Sequence, residues 1–403
     1  MQSVVNMIRH LDSQESKVFS LESGPVVNPD GSEQQMNFGN DNFDVEFKIF
    51  TSNKDLDGTV LQNVEFDKWV SFSENTEVWY SSQNNLLPVL KKEIKKETPA
   101  FLFIVGIYSW QYTAKPLLFC KGVKKIISVR GMLHPGALSQ KSFKKKIYLS
   151  LWKLLGLHKP TTLKLDRGTT TIFHATDEQE KEYIQQVFGK NTNVKVAANF
   201  PRVLLQQAVA EKKEGSLKLV SIGLISPMKN ILLILETLKS LRPPPWRGRQ
   251  AQGLEYTIYG PIKDIGYWEE CEKLIKKMPA NIIMKYNGDV QPKNIEAALA
   301  QNHIFILPSK SENFGHAIYE ALTAGRPVIT SNHTPWNNLK NSNAGINVAT
   351  ENTNELQSAI EYFAAMNQEQ LTKWSDGARE YALQAVDMNT TRKQYEEMFV
   401  DES

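Results

Sequence analysis

Short apolar runs alternate with helical segments along almost the whole chain, and this alternation narrows the fold more than any other feature. Residues 45–50, 77–80, 100–105, 126–129 and 171–174 read as strands in the first half, and 217–222, 255–259, 281–284 and 303–307 in the second. Segments of helical spacing lie between most of them. Strands joined through helices form parallel sheets covered on their faces, which is an α/β architecture. A chain of 403 residues is long enough for two such domains. The break between them falls after Asn199-Phe200-Pro201-Arg202, in the charged, small-residue stretch 211–216 (EKKEGS), with a hinge near 200–216.

Composition excludes several classes. The hydrophobic share of 41% suits a globular protein, and a net charge of +3 implies no nucleic-acid partner. Cys120 and Cys271 are the only cysteines and match no metal or disulfide spacing, which fits a reducing compartment. No run reaches the length of a membrane span, and residues 1–11 lack the apolar core of a signal peptide. The expected location is cytoplasmic.

The most informative segment is 308–329, PSKSENFGHAIYEALTAGRPVI. It reads as a strand end, a polar turn, a short helix with Ile318, Ala321 and Leu322 on one face, a glycine stop at Gly325 and a second strand. The turn Asn313, Phe314, Gly315 opens the helix, so backbone N–H groups without intrahelical partners face outward and form an anion site. Gly315 allows close approach to the backbone. Glu312 in the turn and Glu320 one turn into the helix are ill-suited to phosphate but suit hydroxyl donors. A diphosphate with a polyol at each end, as in a nucleotide-sugar, fits this pattern.

The full string, with its Glu-x7-Glu, resembles the donor-sugar motif of retaining glycosyltransferases of the GT-B fold, family 4 (glycosyl transferases group 1), of the bacterial surface-polysaccharide type. The resemblance implies two Rossmann-like domains facing a central cleft. It assigns Glu312 to donor-sugar hydroxyls and Glu320 to the ribose. It also implies an acceptor-side domain at 1–203, a nucleotide-sugar domain at 204–385 and a closing helix at 386–403. That helix, with Tyr395, Met398 and Phe399 on one side, returns to the first domain; packing on the second alone is the other reading.

Further matches extend through the second half. Strand 219–223 enters a turn at Gly223, followed by Ser226-Pro227-Met228-Lys229-Asn230. It resembles the family's diphosphate loop, with Lys229 at the lysine position and Leu224 where an arginine is expected. Tyr256-Thr257-Ile258-Tyr259-Gly260 resembles the next strand, ending with Gly260 beside the donor pocket. Asn287-Gly288-Asp289-Val290 resembles the loop where the base lies on the backbone at Val290. Trp336 either stacks on a sugar face or belongs to the core.

The first half matches less closely. Ile127 to Pro135 (ISVRGMLHP) resembles a glycine turn at the cleft, which would place Arg130 toward the leaving diphosphate and His134 at the acceptor; His134 also reads as a capping residue. Tyr108, at an earlier strand end, is the other acceptor-side residue. Residues 141–158 are amphipathic and basic, and read either as a helix on an anionic membrane surface or as a core-packed helix with a solvated basic end. Residues 2–11 look like the family's first helix, so the central first strand that should precede it is missing.

Asp55-Leu56-Asp57 is a D-x-D in a Ser/Asn/Gly-rich stretch and reads as turn chemistry rather than a metal motif. The resemblance implies no metal and no cofactor, the nucleotide-sugar being a substrate. The expected function is therefore transfer of a sugar, with retention, to a glycan or lipid-linked acceptor in polysaccharide or lipopolysaccharide synthesis, at the inner face of the cytoplasmic membrane. A sugar-nucleotide epimerase of the same architecture and a non-catalytic binding protein remain as alternatives. The missing strand and Leu224 favour the second of these.

Overall fold

The computed structural model describes residues 16–21, 45–54, 58–62, 64–73, 75–82, 86–139, 142–158, 171–241 and 253–399. The helix expected at 2–11, the D-x-D at Asp55 and Asp57, Lys141 and the proline-rich stretch 242–249 lie outside them. The chain divides into two compact units, residues 1–200 with 388–403, and residues 201–387.

The first unit is built on an eight-stranded sheet. Its strands are β1 (Ser16–Leu21), β2 (Val45–Ser52), β3 (Trp69–Ser73), β4 (Thr76–Ser81), β5 (Phe101–Val105), β6 (Lys124–Ser128), β7 (Thr171–Ala175) and β8 (Val194–Val196). They run in the order β3-β4-β2-β1-β5-β6-β7-β8, and all pairs are parallel except β3 with β4. The expectation of a missing first strand is corrected here. β1 fills the central position, with Val18 opposite both Phe47 and Phe101. Its sequence, SKVFSL, carries only three apolar residues, fewer than the continuous run expected of a strand buried on both faces.

The helix Met388–Phe399 belongs to this first unit. Tyr395, Met398 and Phe399 are buried in a cluster with Phe47, Phe101, Phe103 and Phe200. The Tyr395 ring stacks on Phe200 at 5.1 Å and lies 5.3 Å from His174. His174 is itself fully buried; its ring nitrogens pair with Ser128 Oγ and the Ala197 carbonyl, both at 2.8 Å. Burial, reinforced by the nearby Arg130 charge, pushes its pKa down to about 3, so it is a neutral tie between β6, β7 and the chain after β8.

The second unit carries β9 (Leu217–Ile222), β10 (Leu254–Tyr259), β11 (Ile282–Tyr286), β12 (Ile304–Leu307), β13 (Val328–Ser331) and β14 (Gly345–Val348). All are parallel, in the order β11-β10-β9-β12-β13-β14. Chain order reverses between β9 and β12. In such sheets that reversal opens a crevice at the carboxyl ends of the two strands.

Residues 201–216, which follow the boundary between the units and end in the charged linker 211–216, are fastened along the second unit. Arg326 is fully buried and donates to the carbonyls of Gln207, Ala208 and Asn302. Arg379 donates to the Leu204 and Thr323 carbonyls. Lys212 Nζ reaches the carbonyls of Lys213, Ala364 and Met366, at the carboxyl end of the helix Thr353–Ala364. These cations satisfy backbone carbonyls that an irregular segment would otherwise leave unpaired.

Candidate functional site

The carboxyl ends of β9 and β10 meet in direct backbone contact. Gly223 N–H donates to the Tyr259 carbonyl at 3.0 Å, and Gly260 N–H to the Gly288 carbonyl at 2.7 Å. A Cβ on Gly260, whose φ is +139°, would lie 1.9 Å from the Gly223 oxygen, so this position admits glycine alone. The turn Pro227–Lys229 follows, and Asn230 takes a left-handed conformation (φ 60°) to start the helix Ile231–Ser240. Asn230 Nδ2 donates to the carbonyls of Pro308 at 3.2 Å and Thr350 at 2.9 Å. The loop after β9 is thereby tied to the loop after β12, at the reversal of strand order.

That tie brings Lys229 and Glu312 together. Lys229 Nζ lies 2.5 Å from Glu312 Oε1, which also accepts from Ser309 Oγ at 2.7 Å. The Lys310 N–H donates to the Met228 carbonyl at 2.8 Å, holding the two loops in register. Both charged side chains keep limited exposure, 22% for Lys229 and 11% for Glu312, so the pair is reachable without being fully hydrated. Leu224 is half-buried and brings no charge to the loop.

Gly315 precedes the helix His316–Thr323 with φ +76°, which its missing side chain permits. A Cβ there would press on Ile318 and Trp336, each at 3.2 Å. Phe314 presents its carbonyl to Trp336 Nε1 at 2.5 Å, and Trp336 lies within ring contact of Phe314, Tyr319 and Tyr381. At 3% exposure Trp336 is a core residue, which decides between its two readings. It supports the turn from beneath. Asn313 at the turn is exposed.

Glu320 is the unusual group. It is only 4% exposed. Burial pushes its pKa up to about 7, against the pull of the Arg202 charge. Arg202 itself donates to the Pro292 carbonyl at 2.8 Å and lies 3.8 Å from Glu296. Those partners directly follow the loop of Val290, whose N–H is held by Asp289 Oδ1 at 2.9 Å. Ionising a carboxyl this deeply buried is costly unless hydrogen-bond donors reach it, and a ligand's hydroxyls can be such donors. Arg202 was invisible in the sequence, being a lone arginine outside any motif.

In the first unit, Arg130 sits in a left-handed turn (φ 53°) after β6. Its guanidinium donates to Asn199 Oδ1 and lies against Tyr395. The turn is stapled by Glu180, which accepts from the Gly131 N–H, the Thr176 N–H at 2.7 Å and the Thr176 hydroxyl at 2.9 Å. Glu180 was not singled out in the sequence, although Asp177 before it is a recognisable helix cap. His134 is exposed; its Nδ1 accepts from the Gly136 N–H at 3.1 Å and its ring meets Tyr183 edge-on. Tyr108 is half-buried against Tyr148 at 5.7 Å, with Lys145 Nζ 5.3 Å from its ring centre. Burial pushes its phenol up to about 12. Tyr108 and Arg130–His134 therefore occupy neighbouring loops at the carboxyl edge of one sheet.

Residues 205–381 match the family model described as glycosyl transferases group 1. A 70-residue stretch is 36% identical to sulfoquinovosyl transferase SQD2 of Arabidopsis thaliana, covering 17% of this chain and 13% of that protein. HepE of Anabaena, solved with UDP-glucose, superposes with a TM-score of 0.62 at 14% identity, over 95% of this chain and 99% of that one. WaaG, a glycosyltransferase involved in lipopolysaccharide biosynthesis, superposes with a TM-score of 0.58 at 13% identity, over 95% and 99%. The fold is that of the GT-B glycosyltransferases, and the stretch that resembles the group 1 glycosyl transferases lies within the second unit.

Proposed function

We propose that this chain is a retaining glycosyltransferase of family 4. It moves a sugar from a nucleotide-sugar to a glycan or lipid-linked acceptor in surface polysaccharide or lipopolysaccharide synthesis, without a metal. The observation that carries the reading is the pair of carboxylates at one strand-order reversal, Glu312 paired with Lys229 and Glu320 almost fully buried with a raised pKa. Glu320 takes the two ribose hydroxyls, which donate to it. The N-terminus of the helix His316–Thr323 and Lys229 receive the diphosphate, and Glu312 orients the sugar hydroxyls. Val290 and Gly260 border the base and the phosphates.

The anomeric C–O bond to the diphosphate breaks as the acceptor oxygen bonds to the same face, and the acceptor proton passes to the leaving phosphate oxygen. Both acids of the site already have other roles, which favours this route over a covalent one. Lys229 and the helix dipole stabilise the charge that develops on the phosphate, the task a metal would otherwise perform.

The alternative of a non-catalytic binding protein loses one of its two supports, because β1 occupies the position thought vacant. Leu224 remains in its favour. The deciding experiment is thermal unfolding with UDP, GDP, ADP and their sugars, with and without EDTA. One nucleotide at about 100 times its dissociation constant should stabilise by about 2.7 kcal/mol. Transfer with that donor class should yield a product of the donor's anomeric configuration, insensitive to EDTA, and Glu312→Ala should abolish it. Absence of any nucleotide effect, or inversion in the product, would overturn the reading.

A further inference from the structure

The helix Ser142–Leu154 is apolar on two sides. Leu149 and Trp152 are buried in a cluster with Phe173, Ile184 and Phe188, with Tyr148 packed against it. On the other side Phe143, Ile147, Leu151 and Leu154 recur at i, i+4, i+8 and i+11 and stand in solvent, 75% exposed at Phe143 and 81% at Leu154. Leu155 extends the stripe, and Lys144, Lys146 and Lys153 beside it are exposed. An outward stripe of this kind on an already anchored helix calls for a partner.

Charge along the chain says which partner. Residues 98–165 contain eleven lysines and Arg130, and no aspartate or glutamate. The rest of the chain holds 35 cations against 44 acids, so the near-neutral total conceals a strongly basic segment that contains this helix. Cores of protein–protein interfaces are depleted in lysine and favour aromatic residues and arginine. This face carries one aromatic residue, Phe143, and no arginine; it is otherwise aliphatic and flanked by lysines whose stems can lie along apolar surface with their ammonium groups at its boundary. That is the composition of a helix lying in the interface of an anionic bilayer.

We propose that the outward face of the helix Ser142–Leu154 docks on anionic lipid headgroups, with Phe143, Ile147, Leu151 and Leu154 entering the acyl boundary. The inference deepens the proposed transfer, on which its functional meaning rests: a lipid-linked acceptor would be met at that surface. Burial of Leu149 and Trp152 fixes the helix to its unit, so docking needs no unfolding.

The test is co-sedimentation of the full chain with vesicles of phosphatidylcholine alone and of phosphatidylcholine mixed with phosphatidylglycerol. Binding is expected to the anionic vesicles only, and to weaken about tenfold when salt shortens the Debye length several-fold. Phe143→Glu/Leu154→Glu and, separately, Lys144→Glu/Lys146→Glu should each reduce binding about tenfold or more while leaving the circular dichroism and the nucleotide stabilisation unchanged. No binding by a folded chain, equal binding to neutral vesicles, or binding untouched by both double variants overturns the proposal. So does a change of oligomeric state in the variants without a change in vesicle binding, which assigns the face to a second copy. Loss of nucleotide stabilisation in the parent chain with vesicle binding intact counts against the proposed reaction and leaves this inference standing.

Discussion

Replacing Glu320 by glutamine should stabilise the protein and weaken its hold on a nucleotide. The carboxyl is almost fully buried, and burial raises its pKa from the ordinary 4.5 to about 7. A raised acid pKa means that the folded state retains a proton the unfolded chain has lost. Stability therefore falls as pH climbs from about 4.5 to about 7, and the full cost persists above that window. The difference is worth about 3 kcal/mol at pH 8. The amide of the Glu320→Gln variant is neutral at every pH and avoids it. For a unit of this size the gain should raise the midpoint of thermal unfolding by roughly 5–10 °C at pH 8. At pH 5 it should shrink to under about 1 kcal/mol, because the native proton is then nearly free of cost. Nucleotide affinity should move the other way, falling about 10- to 100-fold, since charge-assisted bonds from the ribose hydroxyls become neutral ones. Calorimetric unfolding at the two pH values, with titration of the stabilising nucleotide, reads both effects. Equal midpoints at pH 8, or a gain that does not shrink at pH 5, would refute the account of Glu320 as a strained carboxyl held for a ligand.

Three other substitutions probe the same unit. Arg202→Ala removes the cation that favours the Glu320 carboxylate, so the midpoint of nucleotide binding against pH should move upward; a calorimetric titration from pH 6 to 9 in which it stays put excludes that coupling. Leu224→Arg supplies the second cation expected beside the diphosphate and should tighten nucleotide binding about tenfold; unchanged or weaker binding would mean that this loop does not face the phosphates. Gly260→Ala puts a methyl group 1.9 Å from the Gly223 oxygen and should cost about 4 kcal/mol, read as a lowered urea midpoint. A loss under about 1 kcal/mol would show that the two glycine turns can separate freely.

Much of the fold was legible because burial leaves a mark in composition. β5 (FLFIV) and β12 (IFIL) are buried, wholly apolar runs and stood out as strands. β1 did not, although it holds the central position: its six residues include two serines and a lysine, and its partners β2 and β5 rather than its own composition set its place. In the site, the sequence pointed to Glu312 and Glu320 because a turn, a helix start and two acids lie within one short segment, and to Lys229 only through the resemblance of its loop to the family's diphosphate loop. It did not reveal that Lys229 and Glu312 pair, since that contact depends on Asn230 bonding across to Pro308 and Thr350, far along the chain. Trp336 read either as a sugar platform or as a core residue, and its burial beside Phe314 and Tyr319 decides for the core. Glu180 and Arg202 act through backbone groups brought near by the fold, and such partners leave no spacing in the sequence.

The closing helix makes the first unit discontinuous, and this has consequences during synthesis. Residues 201–387 form one unbroken unit and can complete their sheet as soon as they leave the ribosome. The first unit is made earlier but finishes later, because Tyr395, Met398 and Phe399 fill its core from the opposite end of the chain. Until those residues arrive, Phe101, Phe103 and Phe200 lack their cover. A nascent chain paused before residue 388 therefore carries an open apolar face, a substrate for chaperones. A premature stop at that point would spare every residue of the second unit and still leave the first one unsealed.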